Sequence, residues 1–120
     1  MALHHVQPGE VVALHCPQGA AAERGVALFK ARDLEVLRLS PRAGESLPPH
    51  RVAGDIAVQC LAGPLEVGLP GRRVRLQAGE LLYVPAEIAH DVFAMQDAAA
   101  LVIIALRSGG IAGPAPSLGP

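Results

Sequence analysis

The sequence predicts an all-β domain, a sandwich, jelly roll or small barrel, and three observations predict it. Pro and Gly recur at short intervals, at Pro8-Gly9, Pro17, Gly19, Pro41, Gly44, Pro48-Pro49, Gly54, Gly63-Pro64, Pro70-Gly71, Gly79 and Pro85. That punctuation cuts the chain into strand-length pieces. No window of about 12 residues shows a clean 3.6-residue apolar period free of Gly and Pro, so helix is hard to place. Finally, 51% of the residues are apolar, yet there are one Tyr, two Phe and no Trp. The core must be filled with Leu, Val, Ile and Ala, which suits a sheet interior.

The elements follow in order. Residues 11–15 (VVALH) offer an edge strand, and 25–30 and 34–40 are apolar-rich runs closed by the Arg32-Asp33 and Ser40-Pro41 breaks. Residues 56–61 and 65–69 flank Gly63-Pro64, while 65–69 and 73–77 flank the Pro70-Gly71 turn signal. Residues 81–84 run into Pro85, and 91–95 end at a turn around Asp97. Residues 96–106 could be taken for a helix, but Leu101-Val102-Ile103-Ile104 reads better as a buried strand within 100–106. Eight or nine short antiparallel strands must bury their apolar faces against each other. Residues 108–120 are almost wholly Gly, Pro, Ser and Ala, too poor in apolar area to offset their ordering entropy. A flexible tail, or one docked on a neighbouring subunit, is expected there.

At 120 residues the chain suits one hydrophobic core. Ten basic residues against eleven acidic ones leave a net charge of -1, so no global field draws it to nucleic acid or anionic lipid. The expected partner is a small molecule or a protein. Arg72, Arg73 and Arg75 read as a solvated hairpin tip. Cys16 and Cys60 are too few and too far apart for a disulfide framework or a zinc motif, which fits reduced thiols in a cytoplasmic protein. The start of the chain lacks a charged segment followed by an apolar one, and the longest strongly apolar run, 98–106, is far short of a membrane span. No Gly-x-Ser-x-Gly, GxxxxGK or GxGxxG string occurs, which removes support for hydrolase, NTPase and dinucleotide-binding readings.

Two segments carry more. Residues 44–63, GESLPPHRVAGDIAVQCLAG, resemble the first cupin motif, G-x5-H-x-H-x3,4-E-x6-G, with Gly44, His50 and Gly63 in place. Residues 79–94, GELLYVPAEIAHDVFA, resemble the second, G-x5-P-x-G-x2-H-x3-N, with Gly79, Pro85 and His90 in place. Fifteen residues separate Gly63 from Gly79, matching the short spacer between the two motifs. Each motif alone is weak; the two in order and correctly separated identify the chain as a small single-domain cupin, over roughly 34–106. The resemblance implies a cupin double-stranded β-sandwich, a jelly-roll barrel spanning 1–107 with 108–120 as its tail.

In that family the first motif supplies two His and a Glu, the second a third His, and the four point into the barrel to hold a divalent metal. Here Val52 stands at the second His and Ile56 at the Glu, while Glu87 and Ala94 replace the usual Gly and Asn of the second motif. His50 and His90 survive as the metal ligands that the resemblance implies. Two imidazoles fall short of the three protein ligands usual for catalytic zinc or non-haem iron. An ion held there would be Zn, Fe, Mn or Ni. With the family's geometry, alternation puts His50, Val52, Ile56, Val58 and Cys60 on the lumen side, with Tyr83, His90 and Phe93 completing a mostly apolar ligand pocket. Asp55 would point the other way and reach the site only through a bulge. Cys60 reads as a small buried hydrophobe and not a nucleophile. Arg38 would clamp a carboxylate ligand if it pointed inward, though an outward, solvated side chain is the plainer reading. His4, His5 and His15 read as ordinary surface.

Three functions remain open on these residues. The first is a small-molecule binding module whose metal site is partly lost, with an apolar pocket and His50 and His90 as its polar contacts. The second is a metal-dependent enzyme, an oxygenase or isomerase, with a non-standard site on the same two histidines. The third is an assembly domain without a ligand. In the first two, His50 and His90 approach within about 5 Å, as ligands of one ion some 2.1 Å away must. Exposed sheet edges also lead to an expected homodimer.

Overall fold

The computed structural model describes residues 6–14 and 25–106. Among them are nine strands and no helix: β1 (Gly25–Lys30), β2 (Leu34–Leu39), β3 (Ser46–His50), β4 (Ile56–Ala62), β5 (Leu65–Leu69), β6 (Arg72–Leu76), β7 (Leu81–Val84), β8 (His90–Ala94) and β9 (Ala99–Ala105). They form two antiparallel sheets, one of five strands in the order β1-β2-β9-β4-β7 and one of four in the order β3-β8-β5-β6. The all-β sandwich is therefore the observed fold.

Alternation along the central strands builds the interior. In β4, Ile56, Val58 and Cys60 are buried while Ala57, Gln59 and Leu61 are only partly so. Facing them from the second sheet are Leu65 and Val67 of β5, Leu76 of β6, and Val92 and Ala94 of β8, and these join Val84, Ala100 and Val102 in one apolar cluster. A smaller cluster of Leu28, Val36 and Leu101 lies on the outer face of the five-stranded sheet. Val12 and Leu14 pack on it, and Val6 N–H donates to the Leu28 carbonyl at 2.8 Å. Val12 and Leu14 thus cover an apolar patch although residues 11–14 form no strand. The edge strand expected over 11–15 is not formed at 11–14, and His15 lies outside the described residues. So do His4, His5, Cys16 and the tail 108–120.

The other departure is β3, where Pro48-Pro49 suggested a break. Proline lacks an N–H for the ladder but is tolerated at a sheet edge. β3 is such an edge, and its register slips between Leu47, opposite Val92, and His50, opposite His90. The Arg72–Arg75 tip is also tied down more than its composition suggests. Arg73 donates from Nε to Glu66 and from Nη2 to Asp91, both at 3.1 Å, and so links β6, β5 and β8 across the outer face. Gly68 lies beneath that guanidinium, and any Cβ there would meet Asp91 and Arg73.

Candidate functional site

The two histidines come from different elements, and the sheet brings them together. β3 and β8 pair antiparallel, and His50 is the register partner of His90. Directly opposed residues in such a pair have Cα atoms about 4.5–5.5 Å apart. The side chain of His50, and with it the expected approach of the imidazoles within about 5 Å, lies outside the described residues. His90 is buried, 5% exposed, on the inward face of β8 with Val92 and Ala94. Its Nδ1 lies 3.1 Å from the Ile88 carbonyl. A carbonyl oxygen only accepts, so this contact places a proton on Nδ1 and, in the neutral ring, the lone pair on Nε2.

The loops that lead into these positions are braced against each other. Glu87 N–H donates to the Val52 carbonyl at 2.8 Å, and Ala86 N–H donates to Asp55 Oδ1 at 2.9 Å. Asp55 is therefore a brace between the two loops. Gly54, beside it, is buried against the backbone of Ala105, whose N–H donates to the Asp55 carbonyl at 2.9 Å. Glu87 takes a left-handed conformation, φ 67°, at the place where the motif usually carries Gly. A Cβ in that region costs of order 1 kcal/mol. Glu87→Gly is accordingly expected to stabilise the protein by about 0.5–1 kcal/mol, seen as a raised urea midpoint at constant slope. A lowered midpoint would show that the Glu87 side chain outweighs the backbone strain.

The remaining residues expected at the site divide by strand parity. Ile56, Val58 and Cys60 face inward and are 3%, 2% and 0% exposed, and half-buried Val52 packs against the same cluster. Burial raises the Cys60 thiol pKa, which keeps it neutral and unreactive at physiological pH. Tyr83 and Phe93 do not line the interior. Leu82 and Val84 are the inward residues of β7, so Tyr83 points out and is 46% exposed. In β8 the inward set is His90, Val92 and Ala94, which leaves Phe93 on the outer face beside its register partners Glu66 and Ser46. With His90 facing in, a residue three positions on must face out. Arg38 is the register partner of Leu101 on the outer face of the five-stranded sheet and cannot clamp a ligand between the sheets. It is half-buried there and its Nε has no hydrogen-bond partner.

Sequence reasoning missed three aliphatics at the same end of the sandwich. Leu69, Ile88 and Ile104 are partly buried and pack against the core, as Val52 does. Register was the signal: Ile104 is opposite Ile56, which is opposite Val84, and all three share the inward face.

Residues 37–106 match the family model for the cupin domain. The chain belongs to the cupin family. No curated protein matches this cupin. Among solved structures it is similar to the conserved protein SPY1581 of unknown function from Streptococcus pyogenes, at 20% identity and a TM-score of 0.72, covering 91% of this chain and 97% of that one. It is similar to a cupin superfamily protein from Desulfitobacterium hafniense, at 18% identity and a TM-score of 0.71, covering 89% and 100%. The DMSP lyase DddQ from Ruegeria pomeroyi is 19% identical with a TM-score of 0.64, over 78% of this chain and 55% of the lyase. Likeness at these identities establishes the fold. No helix in the described part of this cupin is long and apolar enough to cross a membrane.

Two of the family's four ligand positions carry no donor in this chain. Among the described residues no three of His, Cys, Asp and Glu are grouped so as to hold a metal. Aliphatic Val52 and Ile56 stand at two of the four ligand positions, and Ile56 is buried in the core cluster.

Proposed function

We propose that this cupin is a cytoplasmic small-molecule binding protein, in which an organic ligand and not a coordinated ion occupies the His50/His90 end of the sandwich. The observation that carries the reading is the register pairing of His50 with buried His90, beside a buried isoleucine where the family has a carboxylate. Ile56 forms the floor, Val52, Leu69, Ile88 and Ile104 the aliphatic wall, and the imidazoles the polar contacts. That is the usual make-up of a ligand site, mostly apolar with a few placed polar groups. The homodimer expected from the open sheet edges belongs to the same proposal.

Elemental analysis tests it. Tag-free protein equilibrated with equimolar Zn2+, Mn2+, Ni2+ or anaerobic Fe2+ and then desalted is expected to retain well below about 0.1 ion per chain, because two protein ligands hold an ion poorly. Retention of about one ion per chain, lost in His90→Ala, would overturn the proposal and put the metal-dependent oxygenase or isomerase reading in its place.

A further inference from the structure

The interior row that contains Ile56 carries a carboxylate two strands away. The register sets Val84 of β7 opposite Ile56 of β4, Ile56 opposite Ile104 of β9, and Ile104 opposite Glu35 of β2. Residues directly opposed across a ladder share a face. Leu37 and Leu39, at the same parity in β2, pack against the core, whereas Val36 belongs to the cluster on the outer face. Glu35 is thus on the inward face, at the end of the sandwich that Ile56 floors. It is half-buried. Its partner on β1, Lys30, is exposed, and among the described residues no ion pair within 4 Å joins the two.

Distance decides what this carboxylate can do. Neighbouring strands are about 4.8 Å apart, so Glu35 stands some 10 Å along the row from Ile56, the position of the family's own glutamate. An ion within about 2.1 Å of an imidazole nitrogen is out of reach of a carboxylate based there. A ligand lying over Ile56 and Ile104 with its tail toward the imidazoles is not. We propose that Glu35 is a specificity-determining contact of the binding site, and that the ligand carries an ammonium or other amine group at the end opposite the one facing His50 and His90. This rests on the ligand site proposed above. An aliphatic body of about five or six carbons spans the aliphatic row, and the carboxylate accepts charge-assisted hydrogen bonds from the amine.

The probes are n-hexylamine, hexanoate and hexan-1-ol, titrated into wild type and Glu35→Gln while the methyl signals of Ile56 and Ile104 and the ring signals of His90 are followed by NMR. Hexylamine is expected to perturb all three residues and to bind at least about five-fold more tightly than hexan-1-ol in wild type, a modest figure because Glu35 is partly solvated. Glu35→Gln is expected to remove that preference, and dispersed Ile56, Ile104 and His90 signals of the ligand-free variant show that it is folded. Probes that perturb the interior equally well with and without Glu35, or hexanoate binding most tightly, would overturn this inference and leave the ligand site standing. If none of the three perturbs Ile56, Ile104 or His90, both readings fall.

Discussion

Gly54→Ala is expected to cost about 3 kcal/mol of folding free energy, more than most single substitutions, because nothing nearby can move aside. A Cβ at position 54 would fall inside the contact radius of the Ala105 carbonyl oxygen, and that oxygen is backbone at the end of a paired strand. The two chains approach this closely because Ala105 N–H donates to the Asp55 carbonyl, the last link before β4 and β9 pair at Ile56 and Ile104. Relief requires the loop 51–55 to lift, which breaks the Val52 and Asp55 contacts to Glu87 and Ala86. Those contacts brace the approach to both histidine positions. Substitution at Gly54 therefore couples stability to the site. The melting temperature should fall by roughly 10–15 °C, and the NMR signals of His90 should move with it. Ala53→Ser, at the exposed neighbouring position, should stay within about 0.5 kcal/mol of wild type. A melting temperature unchanged in Gly54→Ala would show that the close approach of β9 to this loop is wrong.

The fold was legible in the sequence because the information that sets it is local. Gly and Pro mark the turns, and β1, β5 and β7 occupy the very residues that the punctuation isolates. What local reasoning misjudged depended on tertiary context. Pro48-Pro49 ends a strand in isolation, but at the edge of a sheet the missing N–H has no ladder partner to lose, so β3 forms. Residues 11–14 have the composition of a strand but form none; Val12 and Leu14 pack against the Leu28, Val36 and Leu101 cluster instead, while Val11 stays exposed. At the candidate site, the motif spacing singles out His50 and His90, and the register pairs these two positions across β3 and β8. Tyr83 and Phe93, expected in the pocket, face outward because the period of two turns them away from the interior that Val84 and His90 face. Glu35 lies outside both motifs, and only the register across β9 relates it to Ile56.

Restoring the two absent ligands should convert this cupin into a metal protein. In Val52→His/Ile56→Glu all four family ligand positions are filled, and about one Zn2+ or Mn2+ per chain is expected to be retained after desalting. The two changes differ in cost. Val52 is half-buried in a loop and can take an imidazole, whereas Ile56 is 3% exposed, so an unpaired glutamate there should destabilise the metal-free protein by about 3–5 kcal/mol. A bound cation offsets that burial, and an ion at a hundred times its dissociation constant contributes about 2.7 kcal/mol to the folded state. The double variant should consequently melt well below wild type in chelator and recover by roughly 10 °C when Zn2+ or Mn2+ is added, while wild type shows no shift. Ile56→Glu alone should show the loss and little of the recovery, since three donors without the added imidazole at position 52 leave the ion more weakly held. A double variant that keeps its β-sheet circular dichroism yet binds no ion would mean that His50 and His90 do not converge on one point, and the binding site proposed between them would fall with that convergence.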